Sequence, residues 1–220
     1  PEIDPEPAWE NSMQVRVVAL GLLLTVLFIR CERNPETVTF ATASQPFTIV
    51  TNLGPFSTAR EASAAADAVN WFDNSYTDDQ ICMNGFAALE LQLFIAQVLG
   101  ISPADIPIVD DQQALTDKNI LYLGMPPEDT PLKRLRRKVS RRWNDVDHYA
   151  EEHFHIDVLT RRDVVQVVLT GETPRALLYS AYEFLEHLGI HWIAAGAQNT
   201  FGPRIDTLRM KTGHKEFTPD

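Results

Sequence analysis

The densest group of chemically capable side chains is His148-Tyr-Ala-Glu-Glu-His153-Phe-His155, three imidazoles and two carboxylates in a row. A zinc pair on a helix needs its histidines one turn apart, so that both face one ion. His148 and His153 are five apart, about 140° away from a shared helical face. His153 and His155 are two apart and share one face of a strand, which is the better geometry. No other residue joins them by spacing, and surface histidines beside glutamates are common. His153 and His155 are therefore candidate metal ligands without a recognisable site, and no cofactor is expected.

A second group is cationic. Lys133 to Arg142 holds Lys133, Arg134, Arg136, Arg137, Lys138, Arg141 and Arg142. Such a segment can hold an anionic polysaccharide, a lipid headgroup or a nucleic acid; Arg136, Arg137 and Arg141 are the candidate anion or glycan contacts. The plainer expectation is a solvated helix paired with the carboxylates of an acidic chain. A third group, Glu183 and Glu186, lies at i,i+3 on one helix, suiting solvent-facing or ion-pairing groups better than a catalytic dyad. No Ser-His-Asp order, P-loop or glycine-rich nucleotide fingerprint is present, so no catalytic residue is assigned.

The chain has 220 residues, 45% of them hydrophobic and 22% charged, enough for one domain with an ordinary core. A net charge of -11 argues against nucleic acid as a general partner, since a polyphosphate would be repelled by most of the surface. Met13 and Arg16 precede an apolar run from Val17 to Ile29, about 20 Å as a helix and too short for a bilayer core of about 30 Å. That pattern suits a signal peptide over 13–31, within a leader spanning 1–31, and hence export to the periplasm, the envelope or the medium. The alternative is a core helix behind a disordered leader. Cys31 stands where a lipoprotein would carry its lipid, but Phe28, Ile29 and Arg30 replace the small residues that such a signal requires. Membrane contact is expected only through the signal peptide or such a lipid. The other cysteine, Cys82, is too remote to suggest a disulfide framework.

Downstream, 32–45 reads as a linker, 46–203 as an α/β domain, and 204–220 as a second linker. Pro46 to Thr51 reads as a strand and Thr58 to Trp71 as an alanine-rich helix, with a polar loop over Asp73 to Gln80. Asn84 to Leu99 has apolar residues at three- and four-residue steps, with Asn84 as its expected cap and Gly100 at its end. Ile106–Val109 and Asn119–Gly124 are short strands. Leu132 to Trp143 is amphipathic, with Leu132, Leu135, Val139 and Trp143 on one face. His153–Leu159 and Asp163–Thr170 suggest a hairpin. Thr173 caps a helix that runs to Leu188, with Pro174 at its first position and Gly189 after its end. Ile190–Ile193 is a last apolar strand. The alternation predicts an α/β fold of the α+β type, a mixed sheet of about five to seven strands with helices on its faces.

Gly171-Glu-Thr-Pro-Arg-Ala-Leu-Leu-Tyr-Ser-Ala-Tyr-Glu-Phe-Leu-Glu-His-Leu-Gly-Ile-His-Trp192 is the most distinctive stretch. With Tyr179, Tyr182, Phe184, Leu185, Glu186, Gly189 and Trp192 in place, it resembles the end of the non-catalytic domain ahead of the barrel in family 67 α-glucuronidases and family 20 hexosaminidases. Upstream segments from Asn84 agree in order. The resemblance implies a hexosaminidase-domain-2-like fold in an accessory domain of a secreted glycoside hydrolase. Its partner would be a catalytic (β/α)8 barrel in cis or trans, and its substrate class carbohydrate. Glycoside hydrolysis uses two carboxyl groups across the scissile bond, which those enzymes carry on the barrel, so activity in this chain alone is not expected. The alternative is a free-standing exported module that binds anionic glycans or envelope surfaces through the basic helix. The motif's residues also have a purely structural use as core.

Overall fold

The computed structural model describes residues 36–71, 76–113, 118–129, 132–143, 152–193 and 200–217. Ten strands and four α-helices are defined among them: β1 Thr37–Thr42, β2 Thr48–Thr51, α1 Ala59–Ala64, α2 Tyr76–Leu99, β3 Ile108–Asp110, β4 Ile120–Leu123, α3 Lys133–Trp143, β5 Phe154–Arg161, β6 Val164–Gly171, α4 Pro174–His187, β7 His191–Trp192, β8 Thr200–Phe201, β9 Thr207–Lys211 and β10 Gly213–Phe217. The main sheet has six strands in the order β10-β5-β6-β4-β2-β3. β3, β2, β4 and β6 run parallel, and β5 and β10 are antiparallel additions. This is the mixed α/β architecture expected from the alternating pattern.

Strand periodicity sorts the side chains into two layers of core. Ile49, Leu121, Leu123, Val165, Val167, Leu169, Ile156 and Val158 face α2 and α4, meeting Leu91, Phe94 and Ile95 of the first and Leu177, Phe184 and Leu185 of the second. The alternate residues Val50, Ile120, Tyr122 and Val168 meet Leu132, Leu135 and Val139 beneath the opposite face. Helices thus cover both sides of the parallel strands, which explains why β2 and β4 are buried along their whole length.

α4 follows from its sequence most directly. The Thr173 hydroxyl accepts from the Ala176 N–H at 3.1 Å, and Pro174 occupies the first turn. Gly171 is needed because β6 turns into α4 so tightly that a Cβ there would lie 2.2 Å from the Leu177 nitrogen.

Several boundaries differ from the sequence reading. The expected helix over Thr58–Trp71 is two turns of α1, closed at its start by a Thr58–Glu61 capping box and followed by a 3-10 turn. α2 begins at Tyr76, within the stretch read as a polar loop. Asn84 is not its cap: it lies inside the helix, accepting from Gln80 Nε2 at 2.8 Å and donating to the Asn52 carbonyl at 3.0 Å. Asp78 and Asp79 stand in the first turn, where the helix dipole favours acids. α2 is long and apolar enough to cross a bilayer, but Ala87, Leu91 and Ile95 pack it into the core. Both stretches read as linkers carry strands. β1 pairs with β9 across most of the chain, bringing Phe40, Ala41 and Leu208 into the main core. β10 pairs with β5 and forms an edge of the main sheet. The leader with its signal peptide, and Cys31, lie outside the described residues. Cys82 is a buried free thiol, its pKa pushed up by burial and the nearby Asp79.

Candidate functional site

The antiparallel end of the sheet carries the cluster with most chemistry. Residues 154, 156 and 158 of β5 turn their apolar side chains to the α2/α4 core, so His155 and Asp157 point to the opposite face and are fully buried there. The register places His214 of β10 opposite Asp157 and Glu216 opposite His155. The five side chains His153, His155, Asp157, His214 and Glu216 then converge. His214 Nδ1 lies 3.1 Å from Asp157 Oδ1. His155 Nδ1 lies 3.3 Å from His214 Nε2. His153 Nε2 approaches Glu216 Oε1 to 2.8 Å. The rings stack as a ladder, His153 on His155 and His155 on His214, each at 5.0 Å between centroids.

Burial lowers the pKa of His155 to about 4, and His214 and His153 beside it push the same way. Its imidazole is therefore neutral at pH 7, the state needed of a ligand or a neutral hydrogen-bonding group. The cluster opens to water on the β10 side, where His214 is a quarter exposed and Glu216 nearly half. Sequence spacing brought His153 and His155 to one face; His148 lies outside the described residues. His214 and Glu216 went unremarked because they stand in a stretch read as a linker. Their own spacing of two was the available signal.

The basic helix is amphipathic as its pattern suggests. Leu132, Leu135 and Val139 are buried, while Lys133, Arg134, Arg137 and Lys138 are exposed. Its three candidate contacts differ. Arg136 donates to the Pro126 carbonyl at 2.8 Å and lies 3.5 Å from Glu128, so it ties the helix to the loop before it. Arg137 is in solvent, and the Arg141 side chain lies outside the described residues. Glu183 pairs with His187 at 3.1 Å and Glu186 is exposed; they do not face each other across a cleft.

Two further arrangements bear on chemistry. On the α3 face, the buried Tyr122 hydroxyl donates to Asp111 at 3.1 Å. Burial, with Asp110 alongside, raises the Asp111 pKa. Burial and Asp111 itself drive the Tyr122 hydroxyl far upward, so this pair is a buried tie rather than a proton donor near neutrality. A small depression lies among Phe94, Val98, Ile190, Thr200 and Pro203, with room for about one water and far too little for a small-molecule ligand.

The distinctive motif resolves into packing. Trp192 meets Tyr182 edge-on at 5.2 Å and Phe94 at 5.6 Å, and the Tyr182 hydroxyl reaches Glu90 of α2 at 3.4 Å. Burial and Glu90 push the Tyr182 pKa up to about 12.

No family model and no curated protein matches the chain. Among solved structures it is similar to one described as "Structure of CpGH84D", a glycoside hydrolase, at 12% identity and a TM-score of 0.35. That likeness covers 80% of this chain and only 21% of the other, so the chain spans about a fifth of the neighbour's length.

Proposed function

We propose that this chain is the non-catalytic accessory domain of an exported carbohydrate-active enzyme of the α-glucuronidase-like or hexosaminidase-like kind. Its role is to buttress a (β/α)8 barrel supplied in cis or in trans, and export rests on the pattern of Met13 to Cys31. The observation that carries the reading is the use made of the Gly171–Trp192 motif. Gly171, Pro174, Tyr182 and Trp192 serve to fix α4 against the sheet and α2, the work of a scaffold domain, while Tyr179 stays exposed. Phe86 and Leu93 leave two large side chains, each 42% exposed, along one side of α2, which suits a helix covered by a neighbouring domain.

The coding region beyond Asp220 tests this directly. A continuation of about 250 residues with alternating strand and helix patterns supports it. Phe86→Ser with Leu93→Ser should then weaken the docking of domain and barrel while the isolated domain keeps its circular dichroism. A stop codon after Asp220, with no separately encoded barrel that binds the domain, removes the reading.

The exposed cations Lys133, Arg134, Arg137 and Lys138 among the described side chains of α3 favour a second reading, a free-standing module for anionic glycans. Retention on a heparin-type column, lost in the Arg134→Glu, Arg137→Glu, Lys138→Glu variant, supports it; equal elution of variant and wild type disposes of it. Arg136 is left in place in that variant because it holds the preceding loop.

A further inference from the structure

We propose that His155, His214 and Glu216 form a binding site for one zinc-type divalent cation, which clasps the edge strand β10 to β5. One donor atom from each lies within 4.8 Å of the others. Two nitrogens bound to a tetrahedral zinc at about 2.0–2.1 Å stand roughly 3.3–3.4 Å apart. His155 Nδ1 and His214 Nε2 are 3.3 Å apart, so their separation already equals one edge of such a tetrahedron. Glu216 supplies a carboxylate oxygen from the same side of the sheet, two residues along β10 from His214. Two imidazoles and a carboxylate are a donor set suited to zinc and the neighbouring first-row ions rather than to calcium or magnesium.

The surrounding contacts are those that prepare a metal ligand. Asp157, fully buried, holds His214 by Nδ1. With the proton on Nδ1, the Nε2 lone pair points at His155. A carboxylate behind a ligating histidine is the usual outer partner of zinc sites, fixing the tautomer and raising the ring's basicity. His153 is buried and lies 2.8 Å from the Glu216 carboxylate, but without a well-aligned hydrogen bond to it, so it is a close neighbour of that ligand rather than its outer partner. Entry is from the water-exposed side of β10, where the fourth position is left to solvent.

The competing arrangement contains no ion: His155 donates from Nδ1–H to His214 Nε2, and the ladder is a hydrogen-bonded stack. Untagged, chelator-treated full chain at micromolar concentration separates the two by titration with zinc and with cobalt(II). The site predicts one ion per chain, visible cobalt d–d bands of a low-coordinate N/O environment, and a higher unfolding temperature with zinc. His214→Gln and Glu216→Gln should each weaken binding by at least about tenfold, and Asp157→Asn by about 10–100-fold while the ligands remain. His191→Gln, an exposed histidine on the separate β7–β8 pair, should bind as wild type does. No stoichiometric binding by the wild type overturns the site, as does equal binding by Glu216→Gln. Glu216 is nearly half exposed, so that variant keeps the test valid if His214→Gln fails to fold.

Discussion

In the parallel strands β2, β4 and β6 most side chains are apolar and buried on both faces, between α2 and α4 on one side and α3 on the other. Strands β5 and β10 share the first of those two cores, and of their residues only Leu159, near the end of β5, reaches the second. On their other face they bury two imidazoles and a carboxylate, His153, His155 and Asp157, with His214 a quarter and Glu216 nearly half open to water. The first region is held by burial, which responds to volume and little to pH. The second is held by polar contacts whose strength depends on protonation and, on our proposal, on a cation. The two regions should therefore fail under different insults.

The largest effect is expected in the apolar region. Phe184, with no exposed surface, lies at the centre of the α4 contact with the sheet. Phe184→Ala should cost about 3–5 kcal/mol, measured by urea denaturation. The loss should be nearly the same at pH 7 and pH 5, because Phe184 belongs to the apolar cluster between the sheet and its helices; a loss that changed strongly with pH would break the distinction between the regions.

Acid should act on the other region. The folded pKa of His155 is lowered to about 4, against about 6.5 in an unfolded chain. Between these values the unfolded state binds the extra proton, so stability is complete above pH 6.5 and falls as the pH drops towards 4. That one group accounts for up to about 3 kcal/mol over the window. Denaturation midpoints measured in chelator from pH 7.5 to 4 should show the slope, and His155→Phe should flatten it. An unchanged slope in the variant would place the acid sensitivity elsewhere.

The regions also differ in how far they could be read from the sequence. Apolar strands and α4 announce themselves, because a buried face imposes a period and α4 adds a threonine cap, a proline and a terminal glycine. The first turn of α2 is hidden because Tyr76 to Gln80 is polar, and Asn84 has the look of a cap while its amide serves a tertiary contact to Asn52. β1, β9 and β10 are short and largely exposed. Their partners lie far away in sequence, and no local pattern records a pairing such as Thr37 with Lys211. The same blindness split the polar cluster. His153 and His155 were recognised as a same-face pair, whereas His214 and Glu216 join them only through the β5–β10 register.

A smaller effect tests whether the apolar region is purely apolar. Tyr122 lies in the α3-side core and donates to the buried Asp111. Tyr122→Phe keeps the ring and leaves that carboxylate with fewer donors, at a cost of about 1–3 kcal/mol. Because the Asp111 pKa is already raised by burial, the variant's deficit should be largest above the folded pKa and should shrink as acid protonates the carboxyl group. This sign is opposite to that of His155. Stability curves of the variant and the wild type that stay parallel across pH would show that Asp111 does not feel the hydroxyl.

The smallest effect lies at the seam. Gly171 ends β6, the Glu172 N–H donates to the His153 carbonyl at 3.0 Å, and Thr173 caps α4 at Ala176. One short turn thus joins the histidine ladder to the helix that closes the apolar core. Thr173→Ala should cost about 1 kcal/mol through the lost cap. If the regions are energetically separate, its cost and that of His155→Phe add to within about 0.5 kcal/mol in the double variant. A larger coupling would mean that the turn transmits strain from the ladder to α4, and protonation of His155 would then loosen the helix as well as the edge of the sheet.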